Sequence, residues 1–323
     1  MKKSVRIIYS TLAVLLLAIS CFSQKISPAD RKKIQEKEDT LREMAYYMIA
    51  DSMQAGRLLA YKDFVPAFLR ALKIKNSFYY PFDSVMGISK LYAPDSSFRI
   101  FTWYVAIDDY NGWQRGFIQM KTASGELKGF ALFDNSDYTE SPEFKVCADS
   151  TWIGAVYYNI IKKEYQGKSY YTLFGLDKGS SLRTTRKWIE VLTFNNKGEP
   201  VFGGPFFSFQ NDSLKKPTQY RFGIEYKKEA RTLVNYDPDL DIILYDHLIS
   251  ETNEPEFAWT YVPDGDYEGF KWENGKWVHI NKVFDFKLED GQAPIENPIL
   301  DKKEDTKTTP PENKKPKKPG GGN

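Results

Sequence analysis

Histidine and cysteine are almost missing from this chain, with two of each in 323 residues. Two histidines exclude the usual His-rich zinc and iron centres. One cysteine, Cys21, ends an N-terminal apolar segment, so loss of that segment leaves Cys147 alone and forbids an internal disulfide. The fold must then rest on its core, and a chain near 300 residues buries roughly three quarters of its unfolded surface. An excess of one charge is lacking too, since 45 Lys and Arg stand against 43 Asp and Glu. Without a basic stripe, nucleic acid is not expected as a partner. No apolar run reaches the roughly 20 residues of a bilayer span. Neither a phosphate-cradling Gly-x-x-x-x-Gly-Lys-Ser/Thr loop nor a Gly-x-Ser-x-Gly elbow occurs.

What is present begins with a leader. Residues 1–23 read as a secretory signal, with Lys2, Lys3 and Arg6 ahead of an apolar run from Leu12 to Ile19. Cleavage after Ser23 is one reading. In the other, Ala18-Ile19-Ser20-Cys21 resembles a lipoprotein box and Cys21 carries lipid, with Ala18 standing where leucine is usual. Both readings export the protein, to the periplasm or outer envelope, the second as an outer-membrane lipoprotein. Loss of the leader's three cations takes the formal charge from +2 to −1. At the other end, residues 291–323 read as a disordered tail. Its last 23 positions hold seven lysines against four acids. The tail is read as a solubiliser or as a tether to anionic envelope polymer or lipid, at about 1 kcal/mol per lysine near the surface.

Between these ends the pattern changes once. Residues 24–95 form an expected helical module: one long helix over 27–59, capped by Ser27 and Pro28 and weakened at Gly56, then a short helix over 63–73. Residues 96–290 read as strands rich in aromatic and β-branched residues, with turn residues every 8–14 positions. Asn195 to Gly198 and Asn274-Gly275 are expected hairpin turns, the second of type I′. No helical stretch separates the strands, so a parallel sheet is not expected. The fold class is mainly β with an N-terminal helical module (α+β): an antiparallel meander, arranged as a propeller-like array or a curled sandwich or barrel. A faint echo links residues 131–134, 172–175 and 243–246 at unequal spacing.

Chemistry-bearing residues are sparse. Cys147 has only His247 and His279 as possible bases and reads as a small buried group. Asp237, Asp239 and Asp241 alternate as oxygen ligands for a hard cation would, but Ile242 and Leu248 stand where an EF-hand needs glycine and an acid. Asp264-Gly265-Asp266 invites the same reading. Asp108 with Asp109, or Glu268 with Glu273, is a candidate carboxylate pair for glycoside hydrolysis beside Trp113 or Trp272. Trp113, Trp259, Trp272 and Trp277 are the candidate binding residues, expected to be partly exposed, with Trp272 and Trp277 close across their turn. Exposed tryptophan serves both glycan stacking and protein contacts. No cofactor is called for.

Several runs resemble an uncharacterised family of secreted β-rich proteins from Bacteroidota, over roughly residues 60–280. They are Asn76-Ser-Phe-Tyr-Tyr-Pro-Phe-Asp83, Phe98-Arg-Ile-Phe-Thr-Trp103, Trp152-Ile-Gly-Ala-Val-Tyr-Tyr158, Tyr171-Thr-Leu-Phe-Gly175, Pro200-Val-Phe-Gly-Gly204 and Gly269-Phe-Lys-Trp-Glu-Asn-Gly-Lys-Trp277. That family has no assigned reaction, so the resemblance implies compartment and architecture only. Secreted proteins of that phylum often carry O-glycans at Asp-Ser/Thr followed by an apolar residue or Thr. The resemblance thus implies sites at Ser84 and Ser213. The expected function is a non-catalytic secreted or periplasmic protein that binds an envelope protein or glycan. A carbohydrate-binding protein or glycoside hydrolase is the alternative, and a lipoprotein subunit of an outer-membrane assembly the third.

Overall fold

Helix α1, Pro28–Ala50, starts where Ser27 Oγ accepts the Asp30 N–H at 3.0 Å and Pro28 presets the first turn. Ile34, Leu41, Ala45 and Met48 form its buried stripe. The long helix expected over 27–59 is broken at Asp51. There the Asp51 carboxylate accepts the Met53 N–H at 2.8 Å, and Arg57 donates to the Asp51 carbonyl. Helix α2 then runs Gln54–Leu72, straight through Gly56 and Pro66, in place of the short helix expected over 63–73. Gly56 is a close approach, not a weak point: a Cβ there would lie 2.0 Å from the Asp51 carboxylate. The computed structural model describes residues 26–108, 111–178 and 181–284. The leader, Cys21, Asp109 and the tail lie outside them.

Three open antiparallel sheets follow. The first is a meander of β1 (Ile88–Tyr92), β2 (Phe98–Ala106), β3 (Gly112–Met120) and β4 (Lys128–Phe133). The second runs β10-β7-β6-β5, from β5 (Val156–Tyr165), β6 (Lys168–Asp177), β7 (Thr184–Phe194) and β10 (Arg221–Lys227), with β8 (Pro200–Phe202) beside β7. The third runs β11-β12-β13-β14-β9, from β9 (Phe207–Ser208), β11 (Val234–Asp237), β12 (Ile242–Ser250), β13 (Tyr261–Glu273) and β14 (Lys276–Ile280). One pair departs from the antiparallel expectation, because β9 joins β14 in parallel. Between β8 and β9 the chain bends at Gly203 and Gly204, both with positive φ. That bend carries the chain from the second sheet to the third.

Strand alternation stacks these pieces into layers. Phe101, Trp103 and Val105 of β2 face the helices, packing with Phe64, Phe68 and Met48. The opposite face of that sheet, with Phe98, Ile100 and Ile118, packs on Tyr171, Leu173 and Trp188 of the second. Phe174, Ile189 and Val191 then meet Ile243, Phe270 and Trp277 of the third. The order is helices, sheet, sheet, sheet. Among the described residues the sheets stay open, so no barrel closes and the arrangement is sandwich-like. The three echoed segments fall on one strand of each sheet, β4, β6 and β12, at inequivalent places.

Buried polar groups pin the layers. Arg221 and Glu190 pair at 3.0 Å with almost no exposure of either side chain. Glu190 also accepts the Tyr157 hydroxyl, which in turn accepts Trp152 Nε1–H at 2.7 Å. Arg99 is buried and, among the described residues, pairs with no carboxylate. It donates to Gln119, to the backbone carbonyls of Tyr80 and Ser77 and to the Tyr92 hydroxyl, under the faces of Phe82 and Phe101. Burial lowers its pKa to about 10.

Candidate functional site

The type I′ turn Asn274-Gly275, with φ of 50° and 79°, sets the register of β13 against β14. Trp272 pairs with Trp277, and Phe270 with His279. In the neighbouring ladder Tyr245 pairs with Glu268. Directly paired residues share a face and alternate residues of a strand do too. Tyr245, Glu268, Phe270 and His279 therefore point together toward the second sheet. The loop after β9 brings Asp212 to the far side of His279, because β9 is hydrogen-bonded alongside β14.

The result is a continuous polar chain containing both histidines of the protein. His279 Nδ1 lies 2.8 Å from Asp212 and Nε2 lies 3.0 Å from Glu268 Oε2, with only 1% of the His279 side chain exposed. Tyr245 donates to the same Glu268 oxygen at 2.7 Å. Burial alone would lower the His279 pKa, but hydrogen bonds to Glu268 and Asp212 hold it above the ordinary imidazole value. Burial opposes ionisation of Glu268 as well, and the bonds from His279 and Tyr245 overcome it and hold the carboxyl below its usual range. The His279 ring, with a carboxylate at each nitrogen, thus ties β12, β13, β14 and the Asp212 loop together. A β-bulge between Asp246 and Leu248 turns the half-exposed His247 to the rim. Its Nδ1 sits 3.0 Å from Asp264 and its Nε2 3.6 Å from Glu268 Oε1. Among the described residues, no three His, Cys, Asp or Glu side chains converge as a metal-binding group.

The same hairpin ends in an aromatic platform. Phe257 and Trp259 stack with ring centroids 4.4 Å apart, and the Arg183 guanidinium lies 5.0 Å from the Trp259 ring. Exposed Leu182 is Arg183's chain neighbour, and exposed Ile249 sits near the end of β12. Between β12 and β13 lies a short 3-10 turn, Ala258–Thr260. Thr260 accounts for the turn: its hydroxyl donates to the Phe257 carbonyl at 2.7 Å and bonds the Ser250 hydroxyl at 2.9 Å. The Thr260 N–H adds a bond to the same Phe257 carbonyl at 3.0 Å.

The other expected site residues are placed as follows. Trp113 is 38% exposed with Arg115 over its ring, and Trp259 is exposed to the same degree. Trp277 is fully buried, contrary to expectation, because its face of the hairpin lies on the second sheet, where its Nε1–H donates to Thr172 at 3.0 Å. Trp272 is half-buried, 5.2 Å from Trp277, and packs on Tyr170. Tyr170 and Phe206 line a cleft of about 610 Å³ with Phe194, Asn196 and Lys168. Glu268 and Glu273 do not face each other, since five residues along a strand put them on opposite faces. Asp108 accepts the Asn111 N–H at 2.7 Å. Asp237 caps the turn N–H groups of Asp239 and Leu240, and Asp241 bonds Lys163 and Tyr236, so these acids do not converge. Asp264 accepts the Asp266 N–H at 3.0 Å. Ser84 is half-buried with its N–H on Glu38, whereas Ser213 is exposed beside Asp212. Cys147 is buried, which raises its thiol pKa.

The convergence of both histidines on Glu268 and the roles of Asp212, Asp264, Phe257 and Arg183 are not among the expected features. Comparison with known proteins finds no family model that matches the chain and no curated protein that matches its sequence.

Proposed function

We propose that this chain is an exported, non-catalytic envelope protein that binds a partner protein through the tip of the β12–β13 hairpin. One observation carries the reading: exposed Trp259, stacked on half-buried Phe257 under Arg183, on a turn pinned by its own hydrogen bonds. Tryptophan and arginine are the residues that dominate protein contacts, and a rigid platform loses little entropy on binding. The clamp around His279 supports the same reading by bracing the hairpin's base. The leader, the lysine-rich tail and the resemblance to secreted Bacteroidota proteins agree with an envelope location. Lipid on Cys21 would make the chain a lipoprotein subunit of an outer-membrane assembly.

The test is cross-linking in intact native cells, tagged purification and mass spectrometry, on wild type and Trp259→Ala. A stoichiometric envelope protein that drops at least tenfold in the variant is expected. Equal recovery from both would reject the platform, and no partner at all would reject the function. A second reading, glycan binding, is favoured by the cleft beside Trp272, where Tyr170 and Phe206 offer ring faces and Asn196 and Lys168 offer donors. Glycan arrays that light up with wild type and fade with Tyr170→Ala would put that reading first.

A further inference from the structure

The rim of the polar chain has a geometry that a hydrogen-bonded brace does not need. His247 Nδ1 lies 3.0 Å from an Asp264 oxygen, which accepts its proton and leaves the lone pair on Nε2. Nε2 lies 3.6 Å from Glu268 Oε1, within ion-pair reach but beyond a hydrogen bond. Glu268 is held by its other oxygen, Oε2, which takes Tyr245 and His279, while Oε1 accepts no hydrogen bond among the described residues. Two donors of different chemistry are thus fixed side by side with their lone pairs unshared.

A divalent ion of the zinc type sits about 2.0–2.2 Å from both imidazole nitrogen and carboxylate oxygen. Tetrahedral bonds of that length put the two donors roughly 3.4 Å apart, within about 0.2 Å of what is found. The surroundings match as well. A carboxylate on the remote nitrogen of a ligating histidine, as Asp264 is on His247, orients the ring and raises its basicity. The His247 side chain is 38% exposed and Glu268 18%, so the remaining coordination positions open to solvent.

We propose that His247 Nε2 and Glu268 Oε1 chelate a divalent transition-metal ion of the zinc class, with Asp264 positioning the imidazole. Water, or a donor from another molecule, completes the shell. The site stands independently of what Trp259 contacts, and no other histidine shares it, because His279 is enclosed between Asp212 and Glu268.

Zn²⁺ titration of the full mature chain by calorimetry tests the proposal, with His247→Ala, Asp264→Asn and Lys271→Ala as variants. The expected result is one saturable ion per chain in wild type, lost in His247→Ala. Asp264→Asn should weaken binding 10–100-fold, and Lys271→Ala should leave it unchanged. As a second readout, Co²⁺ added to wild type should shift and broaden the ring-proton signals of His247 first. Circular dichroism confirms that each variant is folded. Absence of saturable binding, or binding that survives His247→Ala, overturns the site. Binding that ignores Asp264→Asn overturns the positioning role.

Discussion

Replacing His279 with glutamine removes the ring that Asp212 and Glu268 both contact, at 2.8 and 3.0 Å. The three side chains are 1%, 8% and 18% exposed, so two carboxylates would face each other in a largely dry site. Breaking a buried ion pair by deleting one partner costs about 3–5 kcal/mol. Glu268 keeps the Tyr245 hydroxyl and some solvent, which places the expected loss at the lower end, about 3 kcal/mol. The loss should depend on pH. His279 binds its proton more tightly in the folded chain than at its unfolded value of 6.5, so its contribution is complete below that value and fades as pH rises through the folded pKa. Glu268 acts in the opposite direction, since its depressed pKa contributes above 4.5 and is lost as pH falls. Urea unfolding of wild type and His279→Gln at pH 6 and pH 9.5 measures the loss and its fading at high pH. A difference below about 1 kcal/mol at pH 6, or one that does not shrink at pH 9.5, would refute the clamp.

Three other outcomes follow from the packing. Glu190→Gln should cost about 3–5 kcal/mol in urea unfolding, because it strands the Arg221 guanidinium in the core. Joint replacement of Glu190 and Arg221 by apolar residues should recover most of that loss, and an equal loss in the double variant would contradict the pairing. Gly275→Ala should lower stability by about 1 kcal/mol or more, since φ is 79° and a Cβ would sit 2.6 Å from Tyr165. Gly265→Ala, also at positive φ but with open space around it, should cost less in the same thermal melts. Cys147, 4% exposed with its thiol pKa raised by burial, should resist alkylation at pH 8 in native protein and react on unfolding. Rapid native labelling would place it elsewhere.

Local pattern revealed some elements and long-range bonding decided others. Strand β2 over 98–106 and the Asn274-Gly275 turn were legible because aromatic enrichment and turn chemistry act within a few residues. The break after Ala50 was not, because Arg57 stabilises it by reaching the carbonyls of Ala106 and Ile107. Stacking of three sheets was hidden by burial of β2, β6 and β7 on both faces, which blurs the apolar-polar alternation. Part of the site could have been found. Once the type I′ turn pairs Trp272 with Trp277, counting back places His279 opposite Phe270 and diagonal to Glu268. The same alternation separates Glu268 from Glu273. Asp212 lay out of reach, because it arrives through the short parallel pairing of β9 with β14.

What touches position 259 decides whether the platform binds a partner. A photo-crosslinking amino acid placed there, and in a second chain at the equally exposed Trp113, should be irradiated in native cells and the adducts sequenced. Position 259 is expected to capture one envelope protein reproducibly, through peptides of a single surface, and position 113 is not. Capture of the same protein from both positions, or of none from 259, would contradict such binding.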